Sequence, residues 1–456
     1  MAPSNAFWRL CNAIFPLRDF LYLLQLEEYE TRQYARRASR RYLRRGFERR
    51  DTLKWTARIK VIAALTCVLM ALLIAVLIYG ESPLVSAIFV AVSLILTPDV
   101  VLLANIISKP VFSIAHSRLN ARARSIRNAM PNLRVIAIAG SYGKTTTKNL
   151  LNDMVRRHFK TQLIEGNINT TAGIAQWILA KLDRSTELLI VEMDAYHPGE
   201  IAESCRIVQP NMAILTSIGD QHLVRFGSQN AIVQALQEVF AETAADGLRV
   251  CSADVATTLK EHGYDHRTHI ASIDVPTYQN EAVDIQDFSS SVREDVAYAM
   301  AIAESLNVPK RFIDEALRSF VLPGRRQQVG EVFGYEGIDD SYNISVATAE
   351  AGVIAAENLA KKTGKKLVVL TAGIPELPPK ESKQKNAQYG AFLAEHADAV
   401  LVLRSEHFTD VAGGIAKKIP MMSAKNLAEA VPMLHAQCPI GDFVLLFQPE
   451  LTDASY

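Results

Sequence analysis

A chain of 456 residues, 49% hydrophobic and 21% charged, has room for two or three domains with cores of their own. Its five cysteines (Cys11, Cys67, Cys205, Cys251, Cys438) contain no C-x-x-C pair, which argues against a zinc site or a disulfide scaffold. The net charge of +1 hides an asymmetry, since residues 1–128 sum to +11 and the rest to −10. A basic front of this kind seeks an anionic surface.

The front reads as a membrane segment. Residues 31–50 place Arg36, Arg37, Arg40, Arg41, Arg44, Arg45, Arg49 and Arg50 between Tyr34, Tyr42 and Phe47, as a basic helix on anionic headgroups would. Val61–Tyr79 carries no charge over 19 residues, enough to cross a hydrocarbon core. After Gly80-Glu81-Ser82-Pro83 a second apolar run, Leu84–Ile107, is interrupted by Pro98-Asp99. Basic residues flank both outer ends and only Glu81 lies in the turn. The positive-inside rule then puts both ends, and the domains that follow, in the cytoplasm. The apolar run starts too far in for a cleaved signal peptide, and the hairpin next to the arginines favours lipid over nucleic acid as their partner.

From Arg134 on, β-rich apolar runs (135–139, 187–193, 212–216, 249–251, then 366–371, 399–403 and 443–447) alternate with helical patterns. Such alternation predicts an α/β fold with mostly parallel sheets, in two sets that divide near Leu322-Pro323-Gly324. The expected domains are 1–60, basic and amphipathic; 61–128, hairpin and basic linker; 129–322; and 323–456.

The stretch Ala139-Gly140-Ser141-Tyr142-Gly143-Lys144-Thr145-Thr146-Thr147-Lys148 follows the first of these strands and opens a helix. Strand, glycine loop and helix start together point backbone N–H groups at an anion, with the lysine for phosphates and a threonine for Mg²⁺. It lacks the first glycine of the general P-loop, whose place Ile138 takes. Three further segments follow in order: Glu165-Gly166-Asn167-Ile168-Asn169-Thr170-Thr171-Ala172-Gly173, then Glu192-Met193-Asp194-Ala195-Tyr196-His197-Pro198-Gly199-Glu200-Ile201 with Thr216-Ser217-Ile218-Gly219-Asp220-Gln221-His222-Leu223, and Leu322-Pro323-Gly324-Arg325-Arg326-Gln327 with Ile338-Asp339-Asp340-Ser341-Tyr342-Asn343. Together they resemble the Mur ligases over about residues 133 to 450. Within that family they most resemble the branch that adds D-alanyl-D-alanine to the peptidoglycan precursor.

The resemblance implies a central P-loop ATPase domain and a C-terminal Rossmann-like domain. It also implies ATP and Mg²⁺ as cofactors and amide formation through an acyl phosphate. Gly140, Ser141, Gly143, Lys144, Thr145 and Thr146 would cradle the phosphates. Thr145, Glu192 and His222 would serve the metal. Asn169 and Thr170 would lie near the acceptor, Arg325 would reach the γ-phosphate, Asp340 would hold the ribose, and Asn343 would line the nucleotide pocket.

The departures bear on these roles. Leu236 stands where the family has a metal-bridging lysine, which puts the second metal site in question unless Glu238 compensates. Tyr298 replaces an adenine-contacting asparagine and is expected to stack on the base. The C-terminal G-D-M-x-E-L-G…H and K-G-S-R become Thr371–Pro378 with Asn386, and Phe447-Gln448-Pro449-Glu450. The hairpin occupies the place of the family's uridine-binding domain. The expected partners are a soluble or lipid-linked precursor, an amino acid or dipeptide, and the membrane. The competing readings are a membrane-bound amino-acid or poly-γ-glutamate ligase, and a non-catalytic nucleotide-binding scaffold.

Overall fold

A computed structural model describes residues 17–27, 29–41, 53–79, 82–166, 168–219, 223–270, 290–320, 328–341, 344–375, 377, 379–405, 407–416 and 418–449. Two compact units meet in sequence between Arg118 and Leu119.

The first unit is helical: α1 (Leu17–Leu26), α2 (Thr31–Arg41), α3 (Ala57–Ile78), α4 (Pro83–Ile95) and the start of α5 (Thr97–Asn128). A small core joins Leu21, Leu24 and Tyr34 to Ile59, Ile62, Val101 and Ala104. The α2 segment is thus packed by one face, through Tyr34 and Ala38, and Tyr34 Oη donates to Pro98 O at 3.1 Å. Farther along, the helices present apolar side chains to the outside: Val68, Leu72 and Val76 on α3, Leu84, Ile88 and Val92 on α4, Ile106, Val111 and Ile114 on α5. Apolar side chains exposed along three helices suit a membrane or partner contact.

The second expected crossing is corrected. The run Leu84–Ile107 is two helices with a turn at Leu96, and Asp99 lies in the first turn of α5, where the helix dipole favours a carboxylate. With 13 residues, α4 spans roughly 20 Å at 1.5 Å per residue, short of a full hydrocarbon core. By length and apolarity, α3 and α5 qualify as candidate spans.

The second unit holds two six-stranded sheets. Strands β1 (Arg134–Ala139), β2 (Thr161–Leu163), β3 (Leu188–Glu192), β4 (Met212–Leu215), β5 (Leu248–Cys251) and β6 (His269–Ile270) form a parallel sheet in the order β2-β3-β1-β4-β5-β6. Apart from Arg134 and Glu192 at their ends, the side chains of β1 and β3 are apolar on both faces, as strands covered on both sides must be. One face is closed by α6 (Lys144–Val155) and α10 (Ser290–Ser305), through Leu150, Leu151, Val296 and Ile302. The other is closed by α7 (Thr171–Lys181), α8 (Glu200–Val208) and α9 (Gln229–Ala241), through Ile174, Ile201 and Val233.

The end of α5 belongs to this second core. Ala123 packs into it, and Arg127 is buried with its guanidinium donating to the carbonyls of Val208, Met130 and Leu133 at 2.8, 2.8 and 3.1 Å. The compact unit therefore starts at Leu119, ten residues ahead of the expected boundary at 129.

The second sheet runs β11-β10-β9-β12-β8-β7, from β7 (Gln328–Val332), β8 (Tyr335–Asp339), β9 (Lys366–Thr371), β10 (Ala399–Leu403), β11 (Met421–Ala424) and β12 (Phe443–Gln448). Only the β7–β8 pair is antiparallel among the described strands. The α/β class with mostly parallel sheets is as expected.

Candidate active site

The glycine loop leaves the carboxyl end of β1, in the crevice where an open α/β sheet reverses its strand order between β3 and β4. Register brings its partners to the same level: Ile138 pairs with Glu192, and Ala139 with Leu215. The loop threads between neighbours. Gly140 has φ +141° and a Cβ there would collide with Thr216 Oγ1; Gly143 has φ +84° and a Cβ would meet Asp295 Oδ1. Both positions therefore require glycine, for conformation as well as room.

Hydrogen bonds from the loop after β4 fix the turn. Ser141 N–H donates to Ser217 O at 3.0 Å, Tyr142 N–H to Ser217 Oγ at 2.8 Å, and Gly219 N–H to Ser141 Oγ at 2.9 Å. Helix α6 then begins at Lys144, and its first-turn N–H groups face the loop as they do in anion-binding turns.

Four of the expected residues converge here. The Thr145 hydroxyl lies 3.1 Å from each oxygen of Glu192. The Lys144 side chain is 8% exposed, and its Nζ folds back on the carbonyls of Gly140 and Ser141 and lies 3.6 Å from Asp194 Oδ1. Asn169 Nδ2 is 3.5 Å from Asp194 Oδ2. A hydroxyl and a carboxylate at the mouth of a phosphate-type loop are hard oxygen donors, and this set fits Mg²⁺. Thr146 is buried in the first turn of α6. Thr170 is exposed and caps α7 with its Oγ1, which accepts from Gly173 N–H at 3.4 Å. His222, Arg325, Arg326 and Asn343 lie outside the described residues.

The sequence reading passed over Lys148 and Asp194. Lys148 is 1% exposed, one turn beyond Lys144, and its ammonium lies 2.8 Å from Glu192 Oε2, 3.0 Å from Gly166 O and 3.4 Å from Ile164 O. These three oxygens use up its three donors. It fixes the Glu192 carboxylate from behind and ties it to the loop that leads to Asn169. The i, i+4 spacing of two lysines on one helix was the available signal. Lys148→Met should strand Glu192 as a buried unpaired carboxylate and cost about 3–5 kcal/mol of stability. A melting temperature within a degree or two of wild type would show that the pair carries no such weight.

Three expectations are corrected. Tyr298 does not offer a stacking face: it is 1% exposed within the core under α6, and its hydroxyl donates to Thr216 O at 2.8 Å. Glu238 does not stand in for the lysine that Leu236 replaces. Its oxygens accept from Gly199 N–H at 2.6 Å and Ala202 N–H at 3.0 Å, capping α8, while burial pushes its carboxyl up against those bonds. Leu236 itself packs in the apolar core. Asp340 is 6% exposed, and its Oδ2 accepts from Gln448 Nε2 at 2.9 Å; Gln448 Oε1 in turn accepts from Tyr389 Oη at 2.6 Å. In this domain Asn386 brackets Ile374 by accepting from its N–H at 2.8 Å and donating to its carbonyl at 3.1 Å. The departures at Gln448 and Asn386 thus make internal polar contacts, each within its own set of partners.

Residues 138–309 match the model of the Mur ligase middle domain. The match covers the centre of the chain, which resembles that domain. The chain is 26% identical over 261 residues to the UDP-N-acetylmuramoyl-tripeptide–D-alanyl-D-alanine ligase of Bacillus subtilis, covering 52% of this chain and 55% of that one. It is 26% identical over 320 residues to the Escherichia coli ligase of the same name, covering 64% and 69%. The chain thus spans about half the length of the Bacillus relative. Among solved structures, MurF of Acinetobacter baumannii superposes with a TM-score of 0.62 at 23% identity, over 74% of this chain and 78% of that one. MurF ligase of Thermotoga maritima in complex with ADP gives the same TM-score and identity over 74% and 81%. At that identity the likeness is one of fold.

Proposed function

We propose that the chain is an ATP- and Mg²⁺-dependent ligase that forms an amide bond in cell-wall precursor synthesis, most like the addition of D-alanyl-D-alanine to a muramoyl peptide. The observation that carries this reading is the convergence of Lys144, Thr145 and Glu192 at the carboxyl ends of β1 and β3. The relatives' names supply the substrate class.

In this reading ATP phosphorylates the acceptor carboxylate, the incoming amine attacks the acyl carbon, and phosphate leaves. Lys144 and the first turn of α6 hold the transferring phosphoryl group, which must stay in line with its acceptor. Thr145 and Glu192 would hold Mg²⁺, which supplies charge neutralisation along the phosphates. Lys148 keeps Glu192 aimed at that position. Asn169 and Thr170, at the entry to α7, face the acceptor side. His222 and Arg325 are assigned to the metal and γ-phosphate, and Asn343 to the nucleoside. The apolar flanks of α3, α4 and α5 support insertion of the first unit in a membrane, with the catalytic domains in the cytoplasm.

The direct test incubates detergent-purified protein with ATP, Mg²⁺, UDP-muramoyl tripeptide and D-alanyl-D-alanine. Phosphate release that requires the dipeptide, and a product heavier by the dipeptide less one water, are the expected results. Nucleotide binding without turnover on this pair or on single amino acids would instead identify a scaffold.

A further inference from the structure

Two residues past Glu192 the chain presents a second carboxylate to the phosphate loop, and the proposed reaction gives it no role. Asp194 is held in place. Its Oδ1 accepts from Ala195 N–H at 3.0 Å and lies 3.6 Å from Lys144 Nζ; its Oδ2 is 3.5 Å from Asn169 Nδ2; its own N–H donates to Asn169 O at 3.1 Å. The side chain is 16% exposed, so it borders the cleft instead of being sealed in a core.

A fixed anion at that point opposes the loop's task. It competes with phosphate for the Lys144 ammonium and repels the phosphate itself, at a range where solvent screens little. Lys148 does not offset it, because its charge is balanced by Glu192, 2.8 Å away. A bare polyphosphate would thus meet two ammonium–carboxylate pairs, Lys148 with Glu192 and Lys144 with Asp194, and no surplus positive charge from these side chains. A divalent cation between carboxylate and phosphate reverses the sign, since the same oxygens then attract the ion that the phosphates also bind.

We infer that Asp194 makes nucleotide binding at this loop strictly dependent on a divalent cation, acting as a carboxylate partner of the ion beside Glu192 and Thr145. The inference rests on the proposed ATP-binding role of the loop, but it concerns the sign of the site's charge and is read by binding alone.

The experiment is titration calorimetry of the detergent-solubilised full chain with a non-hydrolysable ATP analogue, in Mg²⁺ and in EDTA. Wild type should bind at least tenfold more weakly in EDTA. Asp194→Asn keeps the oxygen that accepts from Ala195 but removes the charge. It should bind the analogue at least threefold more tightly than wild type in EDTA and more weakly than wild type in Mg²⁺, so the metal dependence collapses. Asp194→Glu, with its charge retained, should preserve that dependence. Asparagine tightening binding equally in both conditions would mean that the carboxylate only restrains Lys144, and would overturn the inference, as would unchanged affinities. If wild type binds the analogue in neither condition, the ATP reading itself falls, a result distinct from any behaviour of the variants.

Discussion

Lys144→Ala should stay folded and lose amine-dependent phosphate release by roughly 10²–10³-fold, the effect of removing about 2.7–4 kcal/mol of stabilisation aimed at developing charge. The structure shows why folding and turnover should separate. The lysine's partners are carbonyls of its own loop and the Asp194 carboxylate, and the side chain is not part of the apolar cores. The loop is braced independently, through Ser217, Gly219 and the collisions that bar a Cβ at Gly140 and Gly143. Losing the ammonium also frees Asp194 to repel phosphate, so nucleotide affinity should fall along with turnover. Arginine should not rescue it, because a planar fork cannot occupy the pocket of a compact ammonium against the same carbonyls. Rates are to be read beside circular dichroism and melting temperature. A folded Lys144→Ala protein with wild-type turnover would remove the loop from catalysis.

The sequence was legible where burial on both faces imposed a continuous apolar pattern. Strands β1, β3, β9, β10 and β12 are such runs, and their expected limits differ from the observed ones by a residue or so. It was opaque at the margins of the sheets. Strand β2 is Thr-Gln-Leu, three half-buried residues with no pattern to read, and β7, Gln-Val-Gly-Glu-Val, lies mostly exposed on an edge. In the site, glycines and the Lys–Thr pair announced a phosphate loop because backbone geometry demands them. The roles of Lys148, Asp194 and Glu238 depend on which strand end or helix end they meet, and a linear pattern does not carry that. Tyr298 shows the same limit from the other side. A substitution at a base-contacting position invited a stacking role, while the packing of α10 under α6 had consumed its ring.

The place at which the apolar N-terminal helices can be removed follows from α5. A chain starting at Leu119 should be soluble without detergent and bind the ATP analogue as the full chain does. It keeps Asn120, whose Nδ2 donates to Glu203 Oε1 at 2.8 Å, Ala123 in the core, and the buried Arg127. A chain starting at Ala129 looks tidier by sequence but strips Arg127 from the carbonyls of Val208, Met130 and Leu133. Each buried acceptor left unpaired costs about 1–3 kcal/mol, and a loss of this size lowers melting by roughly 10 °C in a domain of such length. The two truncations therefore separate anchoring from folding. Sedimentation with membranes should be lost in both, and stability only in the longer deletion. If the protein starting at Leu119 still requires detergent, the apolar helices are not the anchor. With the folded truncation in hand, the acceptor can be placed. On a vesicle-bound acceptor its ligation rate should fall well below that of the full chain, because the high local concentration at a surface is gone. Equal rates of the two proteins on a soluble UDP-linked acceptor, with no advantage for the full chain on vesicles, would show that the helices only localise an enzyme whose substrate diffuses freely.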